Sequence, residues 1–290
     1  MKAKFIILTP VYNDWKNLSK LLTNINKLFI NKIKQKFNLI IVDDSSSEKK
    51  FFRRSKYSRI QSLKILKNHN NLGSQRAIAI GIKYIKKTYK ANHNLIIIDS
   101  DGQDNPEGIL KLIKKFRKTN SSVVAKRGQR KESLWFKICY EVYCLLIYVL
   151  SFKKIRYGNF SLLRLKDINS ILKDDNLWGA FPPTLSLNLK KISFITIDRD
   201  KRYSGNSKMN FLGLSYHAMK VFSVLRLKIL IVSFFYSIIL YLLFAQDNFI
   251  IFLAFIFSLF LINFSNFILS ARNKENFNKN FKKIKVYNFR

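Results

Sequence analysis

Short apolar runs alternate with longer amphipathic stretches through roughly the first two hundred residues, and two long apolar blocks follow. Phe5 to Leu8, Leu39 to Val42, Leu63 to Leu66, Leu95 to Ile98 and Ser122 to Ala125 are rich in β-branched residues and bounded by polar turns, which predicts strands. Asn17 to Phe29, Ser74 to Tyr89 and Pro106 to Lys118 carry helical spacing, with Asn105 as the expected cap of the last and Pro106 at its first helical position. Strands alternating with helices predict an α/β domain built on a mostly parallel sheet with helices on both faces. Ligands of such sheets bind beyond the carboxyl ends of the strands. Polar clusters stand there: Thr9 to Asp14 after the first run, Asp43 to Ser46 after the second, Asp99 to Asp104 after the fourth, and Lys126 to Arg130 after the fifth.

The blocks at the far end are of another kind. Ile229 to Ala245 is 17 residues without a charge and Phe249 to Ala271 is 23, each close to the ~20 that cross a hydrocarbon core. Only Gln246, Asp247 and Asn248 separate them, whereas Lys220, Arg226 and Lys228 precede the pair and Arg272, Lys274, Lys279, Lys282, Lys283 and Lys285 follow it. The positive-inside rule then places both flanks in the cytoplasm. Asn263 and Asn266 are expected on the packed side of the second span. Phe211 to Leu225 mixes large apolar residues with Ser215, His217 and Lys220, as in a helix lying in the membrane interface. Glu132 to Ser151 is similarly apolar, but Lys137 and Glu141 interrupt it, which favours a core or lipid-contacting helix over a third span. The expected organisation is a cytoplasmic domain over 1–210, an interfacial helix over 211–226, two transmembrane helices over 227–271 and a basic cytoplasmic tail over 272–290. The N-terminal apolar run is too short for a signal peptide.

Composition changes this picture little. A formal net charge of +36 suggests an anionic partner or membrane surface, although Lys, Asn, Ile and Phe are abundant everywhere, as a coding bias would produce. The basic residues accompany apolar spans, and no aromatic-basic module or zinc spacing marks a nucleic-acid binder. Cys139 and Cys144 fall on different helix faces, so no disulfide is expected. His69, His93 and His217 show no ligand spacing.

Asp99 and Asp101, with Gln103, offer oxygen ligands from one tight turn, suited to Mg2+ or Mn2+ with a diphosphate completing the shell. Asp43 and Asp44 can accept hydrogen bonds from a base or ribose, and Asp14 is placed similarly. Arg127, Arg130, Arg199, Arg202 and Lys208 are the candidate phosphate cations, because guanidinium groups grip phosphate oxygens with paired hydrogen bonds.

Together these residues resemble glycosyltransferase family 2, and within it the polyprenyl-phosphate glycosyltransferases related to dolichyl-phosphate mannose synthase. The resemblance spans nearly the whole chain. The family's opening is matched by Thr9-Pro10-Val11-Tyr12-Asn13-Asp14, with Asp14 where Glu is usual, and its nucleotide-binding turn by Val42-Asp43-Asp44-Ser45-Ser46. Its Asn-x-Gly helix start is matched by Asn71-Leu72-Gly73 continuing through Ala77 to Gly81, and its metal turn by Asp99-Ser100-Asp101-Gly102-Gln103-Asp104-Asn105-Pro106-Glu107. Arg127 and Arg130 match the strand-end arginines, and Arg199, Arg202, Gly205, Ser207 and Lys208 match a basic segment just ahead of the interface helix. Tyr157 to Ser161 matches a stretch too variable to carry a role.

The resemblance implies a GT-A type fold and inverting transfer of a sugar from a nucleotide-sugar to a polyprenyl phosphate such as undecaprenyl or dolichyl phosphate. Asp99, Asp101 and Gln103 would hold the metal. Pro10, Tyr12, Asp14, Asp43, Asp99 and Ser100 would bind the donor. Arg127, Arg130, Arg199, Arg202, Ser207 and Lys208 would hold the acceptor phosphate, with Asp99, Asp101, Arg127, Arg130 and Arg202 carrying the chemistry. Related proteins with two spans also assemble through their membrane helices, so a homo-oligomer is a further expectation. A family member that glycosylates a lipid-linked glycan or another alcohol is the alternative, with Asp174 or Asp175 as its base; an inactive membrane adaptor of the same fold is the non-enzymatic one. A processive polysaccharide synthase would carry a Gln-x-x-Arg-Trp motif, and the chain has no Arg-Trp.

Overall fold

A computed structural model describes residues 4–48, 54–128, 134–205, 211–244, 246 and 248–289. The chain runs β1 (Lys4–Val11), α1 (Trp15–Leu28), β2 (Phe37–Asp43), β3 (Ile60–Lys67), α2 (Ser74–Thr88), β4 (His93–Ile97), α3 (Gly108–Thr119) and β5 (Ser122–Arg127). It continues with α4 (Leu134–Ser151), β6 (Tyr157–Arg164), α5 (Ile168–Leu172), α6 (Phe181–Asn188), β7 (Ile192–Ile197) and α7 (Phe211–Val224). The last elements are α8 (Arg226–Phe244), α9 (Phe249–Ala271), α10 (Asn273–Lys282) and β8 (Lys285–Phe289).

The strands form one sheet in the order β7-β5-β6-β4-β1-β2-β3-β8. β3, β2, β1 and β4 are mutually parallel, β6 is inserted antiparallel between β4 and β5, and β7 runs parallel to β5. Every residue of β2 and all but the first of β1 are buried, as expected of strands covered on both faces. Side-chain alternation assigns the faces. Ile6, Leu8, Ile40, Val42, Leu95 and Ile97 pack with α2, whereas Phe5, Ile7, Leu39, Ile41, Ile96 and Ile98 pack with α1 and α3.

All five expected strands and all three expected helices are present, and β6, β7 and β8 are additional. Gly158, Asn159 and Ser161 break the β-branched pattern in β6, whereas β7 is rich in strand-favouring residues but buries only Ile197, as at the edge of the sheet. α3 begins later than expected. Residues 105–107 form a turn in which Asn105 Oδ1 accepts from the Glu107 N–H at 2.8 Å, so Asn105 still serves the helix entrance from one turn upstream. Cys139 and Cys144 are both free.

α8 and α9 are long and apolar enough to cross a membrane and pack as an antiparallel pair, with Tyr241 against Phe252 and Phe244 against Phe255. Asn263 Nδ2 donates to Ser233 Oγ at 2.9 Å and Asn266 is buried, so both amides lie on the packed side. Leu242 at 76% and Ile250 at 83% exposure face outward, an arrangement that would be costly against water but not against lipid. The outward side of α4 (Ile138, Val142, Leu145, Leu146) is also exposed and apolar, and Tyr236 of α8 donates to the Val149 carbonyl, joining the two helices.

Within the stretch 272–290, read as a basic tail, the described residues 272–289 are structured. Phe277 of α10 stacks on Trp178 with ring centroids 5.3 Å apart, and β8 pairs antiparallel with the edge strand β3. The chain leaves the sheet domain through α7 and returns to it through α10.

Candidate active site

The carboxyl ends of β1, β2, β4 and β5 bring the polar clusters to one edge of the sheet. β4 delivers Asp99, whose carboxylate accepts from Asn159 Nδ2 of β6 at 3.1 Å. Asn159 Oδ1 in turn accepts from Gln75 Nε2 of α2 at 2.9 Å, and Gln75 Oε1 accepts from the Phe181 N–H. The antiparallel insertion of β6 therefore ties the acidic turn to the start of α2. Asn159, Gln75 and Asp104 fall inside the quoted motifs but were given no site role by the sequence; Asn159 lies in the stretch to which no role could be given.

The acidic turn is tight. Gly102 has φ +79°, and a Cβ there would run into the Tyr203 ring, so glycine is required twice over. Gln103 N–H donates to Asp101 Oδ1 at 3.0 Å. Burial and the neighbouring Asp101 charge raise the Asp99 pKa, and burial with the Asp99 charge pushes Asp104 up to about 7. An accumulation of carboxylates that resist ionising together favours a bound cation. Among the described residues no three of His, Cys, Asp and Glu gather closely enough to hold an ion. Two carboxylates with an amide oxygen therefore fit a hard divalent ion only if ligands from substrate or water complete its shell.

The loop after β7 lies across this turn. Asp200 N–H donates to the Gln103 carbonyl and Tyr203 N–H to that of Asp101. Arg202 pairs with Asp14 and stands 3.8 Å from Asp101, while Arg199 reaches within 4.0 Å of the same Asp101 oxygen. Asn17 holds both sides of the contact, donating to Asp14 Oδ1 at 2.8 Å and to the Ser204 carbonyl at 2.9 Å. Asp14 thus joins the β1 loop to the basic segment. Arg127 lies against Gly158, where a Cβ would come within 3.1 Å of its guanidinium. With Asp99, Asp104, Asn159, Asp198 and Arg199 it lines a small cavity.

Asp43 and Asp44 are buried at the end of β2. Asp43 Oδ1 accepts from the Ser46 N–H at 2.8 Å. Asp44 accepts from Asn68 Nδ2 and from the Leu72 and Gly73 N–H groups, so it organises the loop entering α2, and burial raises its pKa despite these bonds. Pro10 pairs with Val42 across the sheet, Tyr12 is exposed at the rim and Ser100 is buried in the acidic turn. Arg130, Ser207 and Lys208 lie outside the described residues. Asp174 is engaged locally, Oδ1 accepting from the Asn176 N–H and Oδ2 from Asn188 Nδ2.

The sequence profile of Glycosyl transferase family 2 matches residues 6–168. The chain belongs to this family. A Synechocystis sp. protein described as an uncharacterized glycosyltransferase is 28% identical over 237 residues, covering 79% of this chain and 72% of its own. An undecaprenyl-phosphate 4-deoxy-4-formamido-L-arabinose transferase of Photorhabdus laumondii is 27% identical over 221 residues, covering 73% of this chain; the chain spans 64% of that relative. Among solved structures, glucosyl-3-phosphoglycerate synthase of Mycobacterium tuberculosis, in complex with Mn2+, UDP and glucosyl-3-phosphoglycerate, superposes with a TM-score of 0.54 at 13% identity, over 78% of this chain and 80% of that one. The family 2 domain here therefore has the GT-A fold, with β6 as its antiparallel insertion.

Proposed function

We propose that this family 2 glycosyltransferase moves a sugar from a nucleotide-sugar to a polyprenyl phosphate at a membrane surface, with inversion at the sugar carbon by direct displacement. The observation that carries the reading is the single cleft in which Asp99 and Asp101 face Arg127, Arg199 and Arg202, on a domain carrying two exposed apolar helices. The name of the Photorhabdus relative supports the acceptor class, and the UDP and Mn2+ of the mycobacterial structure support the donor and metal classes.

In this reading Pro10, Tyr12, Asp14, Asp43 and Ser100 shape the nucleotide pocket, with Asp43 oriented by its bond to the Ser46 N–H. Asp99, Asp101 and Gln103 would hold Mg2+ or Mn2+. When bound, the ion neutralises charge on the departing nucleotide diphosphate. Asn159 fixes the rotamer of Asp99, and Asp14 holds Arg202 beside Asp101, so both sides of the cleft are set before substrates arrive. Arg127, Arg199 and Arg202, with Arg130, Ser207 and Lys208, would bind phosphate oxygens.

A phosphate acceptor arrives already ionised and needs no base; an alcohol acceptor does. The occupation of both Asp174 oxygens by local hydrogen bonds argues against that residue as the base of an alcohol acceptor. The domain over 1–210, the interfacial helix over 211–226 and the spans over 227–271 follow in this reading, with the domain and C-terminus cytoplasmic. The test is incubation of purified protein and polyprenyl phosphate with a panel of nucleotide-sugars, with and without Mg2+ or Mn2+, followed by mass analysis of the lipid. Transfer to a glycan alcohol alone would replace the reading.

A further inference from the structure

The cations of the basic segment and those at the junction of α2 and α7 differ in their partners. Arg199 and Arg202 stand opposite Asp101 and Asp14. Arg76 and Lys220 have no ion-pair carboxylate partner among the described residues, and neither was given a site role above: Arg76 is a variable position of the Asn71-to-Gly81 motif and Lys220 a cation of the interface helix.

Arg76 sits in the first turn of α2, which Gln75 anchors to Asn159 and Phe181. Its guanidinium lies 5.2 Å from the centroid of Trp178, a buried ring backed by Phe277. Stacking leaves the guanidinium edge available to hydrogen-bond acceptors, yet its buried Nε has none. α7 packs on the 175–178 turn beneath, its Val224 side chain meeting Gly179. Lys220 lies one turn before Val224 on the same face of α7, the face turned to the 175–178 turn and Trp178, and its Nζ is 4.1 Å from the Tyr216 centroid. Burial and the Arg76 charge push the Lys220 pKa down to about 8. One turn earlier on α7, burial and the charges of Lys220 and Arg127 push His217 down to about 4, so its imidazole stays neutral. Two cations drawn together without a counter-charge are costly, and an anion between them relieves the cost.

The surroundings identify the anion's carrier. Tyr216 and Met219 are exposed on the outer side of α7, and Phe222 meets Tyr143 of the apolar α4. An anion reaching Lys220 from this side brings an apolar tail with it.

We propose that Arg76 and Lys220 form the seat of a phosphate carried on a single-chain isoprenoid lipid, with His217 beside it and Trp178 as its floor. This rests on the reading that a lipid phosphate is the acceptor, and it moves the phosphate seat from the basic segment after β7 to the junction of α2 and α7.

Farnesyl phosphate is a soluble probe of this chemistry. Its binding to the full chain in zwitterionic detergent is measured by 31P NMR or calorimetry, alongside nucleotide affinity and melting temperature. Arg76→Gln and Lys220→Met should each weaken it about tenfold or more, as for loss of a charge-assisted hydrogen bond, with nucleotide affinity unchanged and Lys220→Arg restoring binding. Dioleoyl phosphatidylglycerol in mixed micelles supplies the other phosphate source. Variants that lose only phosphatidylglycerol binding would assign the pair to bulk lipid and overturn the proposal. Equal farnesyl phosphate binding by wild type and the double variant, or none by wild type, would overturn it as well. Binding that depends on Arg76 and Lys220, without sugar transfer to polyprenyl phosphate, would remove the acceptor reading and leave the seat. Transfer that survives the double variant would do the reverse.

Discussion

Gly102 and Gly205 both occupy positive φ, at +79° and +75°, but only Gly102 has a ring where its Cβ would go. Gly205→Ala should therefore cost only the backbone preference, about 1 kcal/mol, whereas Gly102→Ala adds displacement of Tyr203 and should cost about 2–3 kcal/mol. Thermal melting of the two variants checks the order; equal shifts would mean that Tyr203 does not hold the loop against the acidic turn. Asp101 is the residue on which both halves of the cleft converge, since Arg199 and Arg202 approach the same oxygen. Asp101→Ala should lower transfer by roughly a hundredfold or more while the protein still inserts. Near-normal turnover would remove the assignment of the acidic turn to the donor and metal. The motif residues were legible because their chemistry is local. Asn159 was not legible, because its partner Asp99 lies 60 positions away and only strand pairing brings them together.

Among the elements, α10 and β8 are where the sequence was least informative. A short charged helix and five alternating residues look like a solvated tail, yet Phe277 is 4% exposed and seated on Trp178. Phe277→Ala removes a buried ring and should destabilise the docking of α10 by about 3 kcal/mol. The readout is faster proteolysis within 273–289 and loss of amide protection along β3, which β8 covers; unchanged protection would show that β8 holds without α10. α8 and α9, by contrast, match the apolar blocks to within three residues at each end. Continuous hydrophobicity over that length has few alternative structures, while a five-residue strand has many.

For the molecule as a whole, the return of the C-terminus to the sheet bears on topology. A chain that departs through α7 and comes back through α10 must cross a bilayer an even number of times if it crosses at all. In a cysteine-free background, single cysteines introduced at Gln246 and at Phe289 should be labelled by an impermeant reagent from opposite sides of sealed vesicles. Labelling from the same side would refute insertion of the helix pair as a hairpin. The charge of +36 gives a second whole-molecule expectation: binding of the full chain to anionic vesicles should weaken with added salt less than binding of a soluble polycation does, because apolar insertion is not screened.

The sequence by itself determined the strands and helices with strong periodicity, the two apolar helices and the polar clusters after the strands. Each depends on residues within a few turns of one another, so composition and spacing suffice. Tertiary structure alone decided that β6 enters antiparallel and hands Asn159 to Asp99, that Asp14 grips Arg202 across 188 positions, and that α7 docks on the 175–178 turn that carries Trp178. Those pairings follow from strand order and helix docking, which are set by the burial of the whole core and leave no local trace along the chain.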